Sequence, residues 1–192
     1  MRLILGTLAL ALNLIGYFPY IRDIIRGKVR PQRITWGIWS ILTAVAAVNQ
    51  VLNGGEYSSL YVVSGAILVS TTFILSIKYG VGGTSALDRV CLVLAFGLVV
   101  YWISAQDTRI STLLVVIIDS LGAIPTLVKT YHHPETETYI QWSLAGIAGL
   151  ITVATVPEVD WALIIYPAYV FTMNAMIVST KYMSEHKKPA AV

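Results

Sequence analysis

Charge is scarce in this sequence. Lys, Arg, Asp and Glu make up 12% of the 192 residues and hydrophobic residues 56%, whereas roughly a quarter of a soluble globular domain is charged. A water-soluble globule is thereby excluded, and hydrocarbon is the solvent such a chain satisfies. Cysteine occurs once, as Cys91 in an apolar run, so one chain can build neither a disulfide framework nor a thiolate metal site. Histidine occurs three times. His132 and His133 stand with Glu135 and Glu137 in the order His-His-Pro-Glu-Thr-Glu, which lacks metal-site spacing and reads as a solvated loop; His186 stands alone. Nucleophile elbow, Walker loop and HExxH motif are all missing. An enzyme is not expected, no cofactor is implied, and the net charge of +3 is too small and dispersed for a nucleic-acid partner.

What the chain does have is apolar runs of membrane-spanning length, ~20 residues each. Seven are expected: Leu3 to Ile25, Ile34 to Leu52, Ser58 to Tyr79, Arg89 to Ser104, Ile110 to Tyr131, Tyr139 to Val156 and Trp161 to Tyr182. Asn53-Gly54-Gly55 and the glycines from Gly80 to Gly83 are turn signals between them. The fold class is an all-α integral membrane protein with seven transmembrane helices. Ala9-Leu10-Ala11 mimics a signal-peptide cleavage site, but cleavage there would cut the first span in half.

The sequence repeats itself. Asn13 to Trp36 returns as Asp119 to Trp142, with Gly16 on Gly122, Pro19 on Pro125, Ile34 on Ile140, Trp36 on Trp142 and Asn13 opposite Asp119. Residues 1–80 form a first three-helix repeat, 81–107 a linker helix, 108–183 a second three-helix repeat and 184–192 a disordered tail. Three helices turn the chain over, so one extra crossing lets the second triple insert in the same orientation as the first. Placing the loop after the first helix in the cytoplasm puts all Lys and Arg but Arg2 and Arg109 inside, the positive-inside pattern. The amino terminus is then outside and the carboxyl terminus cytoplasmic, in a plasma membrane or bacterial inner membrane.

Two three-helix bundles joined by one inversion helix, each with a proline near the basic end of its first helix, resemble the superfamily of SWEET sugar transporters and PQ-loop transporters. The resemblance covers nearly the whole chain in architecture and the two repeat segments in motif. The family's Pro-Gln dipeptide stands here as Pro19-Tyr20 and Pro125-Thr126; the literal Pro31-Gln32 lies in the basic loop and is assigned no function. The resemblance implies alternating-access movement of a small polar solute, a sugar or an amino acid. Asp119-Ser120-Leu121-Gly122 is similar to the acid-x-x-Gly pattern of proton-coupled PQ-loop transporters, which implicates Asp119 in coupling. Asparagines on the third helices of SWEET bundles face each other across the substrate; aligning Lys78-Tyr79 with Lys181-Tyr182 matches Thr71 with Asn174.

The residues themselves carry parallel readings. A proline inside a helix frees the carbonyl four residues earlier, so Pro19 and Pro125 are hinges or static kinks, and Gly16 and Gly122 admit close neighbours. Asp119 alone among the acids lies near the middle of a span, where a charge costs ~2.5–3.5 kcal/mol on insertion scales. It either exchanges protons or ties the fifth helix to the first through Asn13. Asn174, Thr71, Asn13, Asn49 and Gln50 are candidate substrate-binding residues, with rings from Tyr61, Tyr166 and Tyr169. Trp36, Trp142 and Tyr20 are either a gate at the cytoplasmic mouth or headgroup anchors, as Trp102 and Trp161 are. Expected partners are a small polar solute, protons and membrane lipid, with a homo-oligomer left open. A SWEET-like uniporter with a structural Asp119 is one alternative. A receptor of the KDEL-receptor type is another, but it would require an arginine deep in a span, and none is expected.

Overall fold

In the computed structural model the chain is described over residues 2–52, 56–105, 107–156 and 160–187. Seven α-helices follow in order: α1 Arg2–Ile25, α2 Arg33–Leu52, α3 Glu56–Tyr79, α4 Ala86–Ser104, α5 Thr108–His132, α6 Tyr139–Val153 and α7 Trp161–Lys187, with a single 3-10 turn at Pro134–Thr136 before α6. All but α6 are long and apolar enough to cross a membrane. Their outward residues suit lipid: Leu3, Phe18, Leu52, Ile67, Val93 and Ile103 are among many large apolar side chains left exposed. Such a surface belongs to a membrane protein.

The helix limits follow local chemistry. Ser85 and Asp88 form a reciprocal capping box at the start of α4, which begins three residues before the expected Arg89. Asp107 caps α5 through the amides of Arg109 and Ile110, and Thr138 caps α6 through Gln141 N. Helix α6 ends at Val153 rather than Val156, so its 15 residues reach about 22 Å. Ser184 to Lys187 continue α7 instead of forming a loose tail; the rest of the expected tail and the Asn53-Gly54-Gly55 turn lie outside the described residues.

Packing around the bundle forms a closed ring: α1 touches α3, α3 touches α2, α2 touches α5, α5 touches α7, α7 touches α6 and α6 returns to α1. Helix α4 lies outside the ring against α5 and α2. Gly16 brings α1 close to α6 and Gly122 brings α5 close to α2: a Cβ on Gly16 would lie 2.8 Å from Gln141 Oε1, and one on Gly122 would lie 2.7 Å from Trp39 Nε1. The loops after α1, α3 and α5 meet at one end with the last turns of α7. Arg30 N donates to Thr136 O, Val81 N to Pro31 O, and Lys181 Nζ to Pro134 O at 2.6 Å. We call this the basic end. Because α5 and α7 both finish there, α6 carries the chain to the opposite end despite its length.

The loop holding Pro31-Gln32 is not a solvated basic tether. Gln32 is buried; its amide nitrogen donates to Asp88 Oδ1 at 2.6 Å and its oxygen accepts from Thr35 N at 2.9 Å. Asp88 Oδ2 accepts from Gly83 N and Ser85 N. Gly82, at φ +81°, lets the Gln32 side chain pass where a Cβ would come within 2.3 Å of Nε2, a backbone shape glycine adopts at no steric cost. One glutamine and one aspartate thus fasten the first loop to α4. Replacing Asp88 by Ala strands the buried Gln32 amide, which costs about 1–3 kcal/mol, and removes the partner of two part-buried backbone donors. Asp88→Ala is therefore expected to unfold at lower temperature in detergent than the parent, with Asp88→Asn between them; equal melting of all three would mean that water already serves these donors.

Candidate functional site

At the basic end the polar side chains of the bundle converge on Glu137. This residue sits between the 3-10 turn and α6, where sequence alone suggests solvent, yet it is 4% exposed. Its carboxylate accepts from Trp142 Nε1 at 2.8 Å and from Tyr20 Oη at 3.2 and 3.3 Å, and it pairs with the buried Lys129 ammonium. Lys129 also donates to Arg30 O at 2.8 Å. A carboxylate and an ammonium out of water hold each other only if their remaining bonding capacity is filled, and here three helices and a loop fill it. The expectation of a solvated loop over His132 to Glu137 is therefore corrected at Glu137. His132, His133 and Glu135 are exposed as expected, and the described residues contain no cluster of metal-ligating side chains. Next to it Lys181 pairs with Glu185 at 2.7 Å, and Tyr139 donates to the same carboxylate.

Above this network lies an aromatic floor. Trp36 and Trp142, at matching positions of α2 and α6, have ring centroids 6.2 Å apart; Tyr20 lies 5.5 Å from Trp36 and 6.0 Å from Trp142. Trp39 joins edge-on at 5.3 Å from Trp36, and Tyr17 at 6.1 Å. Trp36 and Trp142 are 1% and 3% exposed, so they are interior residues and not headgroup anchors. Trp39, whose counterpart in the second segment is Ala145, belongs to the cluster nonetheless. Its indole N–H donates to the backbone oxygen of Asp119 at 3.2 Å.

Over the floor is a cavity of 140 Å³ lined by Asn13, Asp119, Gln141, Asn174, Tyr166 and Tyr169 together with the floor rings. Both carboxylate oxygens of Asp119 are engaged, Oδ2 by Tyr166 at 3.0 Å and Oδ1 by Tyr169 at 3.1 Å. The expected tie from Asp119 to Asn13 is not among the bonds that hold it; α7 holds it instead, and Asn13 stands across the cavity. Asn174 donates Nδ2 to Val170 O at 2.8 Å, and its Oδ1 is buried with no partner, as is Gln141 Oε1. A wider cavity of 480 Å³ adjoins the first, sharing Asn13, Tyr17, Thr43 and Tyr166, and extends along Leu10, Val62, Thr152 and Leu163, which lie toward the end opposite the basic loops. The site is thus closed at the basic end, and the wider cavity extends from it toward the opposite end.

Of the candidate residues, the structure brings together Asn13, Asp119, Asn174, Trp36 and Trp142, with Tyr20 beneath. Pro19 and Pro125 lie within α1 and α5, one helical turn on from the glycines that touch α6 and α2. Thr71 is elsewhere, on a groove between α2 and α3; Val69 is the α3 residue that reaches the cavity. Asn49 lines a separate space beside α4, and Gln50, one residue on, is not among the residues lining the cavity. The Tyr61 side chain lies outside the described residues. Gln141 and Glu137 were missed. Gln141 had a signal, since it stands beside Trp142 at the position matching Thr35, which is also fully buried.

No family model, curated protein or solved structure matches the chain.

Removing one partner of a buried ion pair costs about 3–5 kcal/mol, whereas replacing both is often near neutral. Glu137→Ala is expected to lower the unfolding temperature in detergent strongly, and Lys129→Met combined with Glu137→Gln to recover most of the loss. A single variant as stable as the parent would mean the pair is hydrated.

Proposed function

We propose that this chain is a membrane transporter that moves a small polar solute by alternating access between two parallel three-helix repeats, α1 to α3 and α5 to α7, joined by α4. The observation that carries the reading is the position of the cavity: it lies where α1, α2 and α3 meet α5, α6 and α7, closed at the basic end by Trp36 and Trp142 and continued toward the other end by a wider cavity. The ring of helix contacts supports the repeat, because exchanging α1 with α5, α2 with α6 and α3 with α7 returns the same set of neighbours. In each triple the third helix packs between the first two. The Lys-Tyr match of the third helices is the wrong register for this symmetry, since Lys78 is exposed and Lys181 buried. Moving the pairing by two residues matches buried Thr72 and Ser76 with buried Ile177 and Lys181.

In this reading the basic end is cytoplasmic, the amino terminus is outside, and the likeness to SWEET and PQ-loop transporters is one of architecture. Pro19 and Pro125, beside Gly16 and Gly122, are the hinges. Trp36, Trp142 and Tyr20 are the closed cytoplasmic gate, latched by Glu137. Asp119 couples movement to protons. A second reading has one observation in its favour: each Asp119 oxygen already accepts a tyrosine hydroxyl, as a structural tie would, which makes the protein a uniporter. The receptor alternative gains nothing, because the buried cations Lys129 and Lys181 are already paired, with Glu137 and Glu185.

Uptake by purified protein in liposomes separates the two. Sugars, amino acids, nucleosides and small amines are offered with and without a proton gradient, to the parent and to Asp119→Asn. Stimulation by the gradient in the parent, lost in the variant while exchange without a gradient survives, is the expected result. Uptake indifferent to the gradient and retained by the variant makes Asp119 structural, and absence of any flux removes the transport reading.

A further inference from the structure

The lining of the inner cavity is one-sided in its chemistry. None of its described residues is Lys, Arg or His, and its one ionisable acid is Asp119. The rings of Tyr17, Trp36, Trp39, Trp142, Tyr166 and Tyr169 surround it, and aromatic faces carry negative potential that attracts cations. Of the lining polar atoms that are buried without a partner, two are acceptors and one, Trp36 Nε1, is a donor. Asn174 Nδ2 is engaged by Val170 O, which fixes the amide orientation and leaves Oδ1 to accept. Gln141 Oε1 is also buried without a partner. Each oxygen of Asp119 accepts one tyrosine hydroxyl and keeps a further lone pair. A carboxylate-bearing solute would meet Asp119 and no cation, and a sugar would find few donors.

We propose that this cavity binds a small organic ammonium ion on the Asp119 carboxylate, walled by the indole and phenol rings, and that a proton and the ammonium exclude each other there. The size is set by the cavity: 140 Å³ is close to the ~150 Å³ apolar cavity that holds a benzene molecule. An ammonium brings N–H donors to the Asp119 carboxylate and to the unpartnered oxygens of Asn174 and Gln141. Protonation removes the negative charge and occupies a lone pair, so one proton displaces one cation. This names the substrate class of the transport site and rests on that reading for its consequence, which is exchange of one cation for one proton.

The surroundings leave Asp119 as the group that titrates against the ligand. From α7 it faces Tyr166 and Tyr169; from α2, Trp39 and Thr43; across the cavity on α1, Tyr17 and Asn13. Cys91 of α4 packs in the apolar cluster around Ile118. Lys129, Glu137 and Glu135 lie at the basic end, Lys129 being about 15 Å further along α5.

The test is calorimetric titration of the purified full chain in detergent with three probes of similar size, benzylammonium, benzyl alcohol and benzoate. Benzylammonium is expected to bind, benzyl alcohol about tenfold to a hundredfold more weakly, and benzoate not at all. Affinity for benzylammonium should fall about tenfold per pH unit once the carboxylate is protonated. Asp119→Asn should bind it weakly at every pH, and Asp119→Glu, which keeps the charge, should retain the pH dependence. Benzyl alcohol or benzoate binding as tightly as benzylammonium, no benzylammonium binding to the parent, or Asp119→Asn with the parent's affinity and pH profile would each overturn the proposal. Binding in detergent needs no transport: selective benzylammonium binding without flux in liposomes leaves the site and removes the transporter, whereas flux of a neutral solute without benzylammonium binding does the reverse.

Discussion

A helix bundle in hydrocarbon cannot hand its buried polar groups to water, and at Glu137 this chain satisfies three of them together. The carboxylate takes donors from α1 through Tyr20, from α5 through Lys129 and from α6 through Trp142. With those three helices fixed, the positions of the two central indoles follow, because Tyr20 packs against both. The indoles in turn form the surface on which the cavity rests. Cost also explains the location, since a charge pair is less expensive near the end of a span than at its middle.

The two ends of the bundle are built differently. At the basic end, loops are short, partly buried and bonded to one another through Gln32, Asp88, Arg30 and Thr136. Toward the other end, the cavity between α1, α3, α6 and α7 widens, and its walls are aliphatic residues such as Leu10, Val62 and Leu163. The polar content of the spans is concentrated between, where Asn13, Asp119 and Asn174 surround one space. The described conformation is therefore closed on one side of that space and hollow on the other.

Much of this was legible in the sequence, and the failures have physical reasons. Asp119 stands out because one charge in an apolar run is a local anomaly, and Asn13 because the chain carries a second copy for comparison. The paired tryptophans were visible for the same reason, although near a helix start they look like lipid anchors until the tertiary structure buries them. Glu137 is the opposite case. His-His-Pro-Glu-Thr-Glu has the composition of a wet loop, and what dries it is Tyr20, 117 residues away. Gln32 was hidden in the same manner, since its partner Asp88 lies 56 residues on. On α3 the error was one of register: Lys-Tyr occurs in both third helices, but identity at an exposed lysine says nothing about which face is inward, so Thr71 was placed where Val69 belongs.

The indoles of Trp36, Trp39 and Trp142 lie within 5.3 to 6.2 Å of one another, centre to centre, in a fixed and asymmetric triangle. Aromatic groups held in rigid chiral packing dominate near-ultraviolet circular dichroism, and the signal vanishes when that packing loosens. Trp102 and Trp161 stand outside the triangle, so the tryptophan part of the dichroic band reports chiefly on the cavity floor. The molecule carries a built-in optical gauge where the indoles of α2 and α6 meet, and any separation of those rings is written in the spectrum without a label.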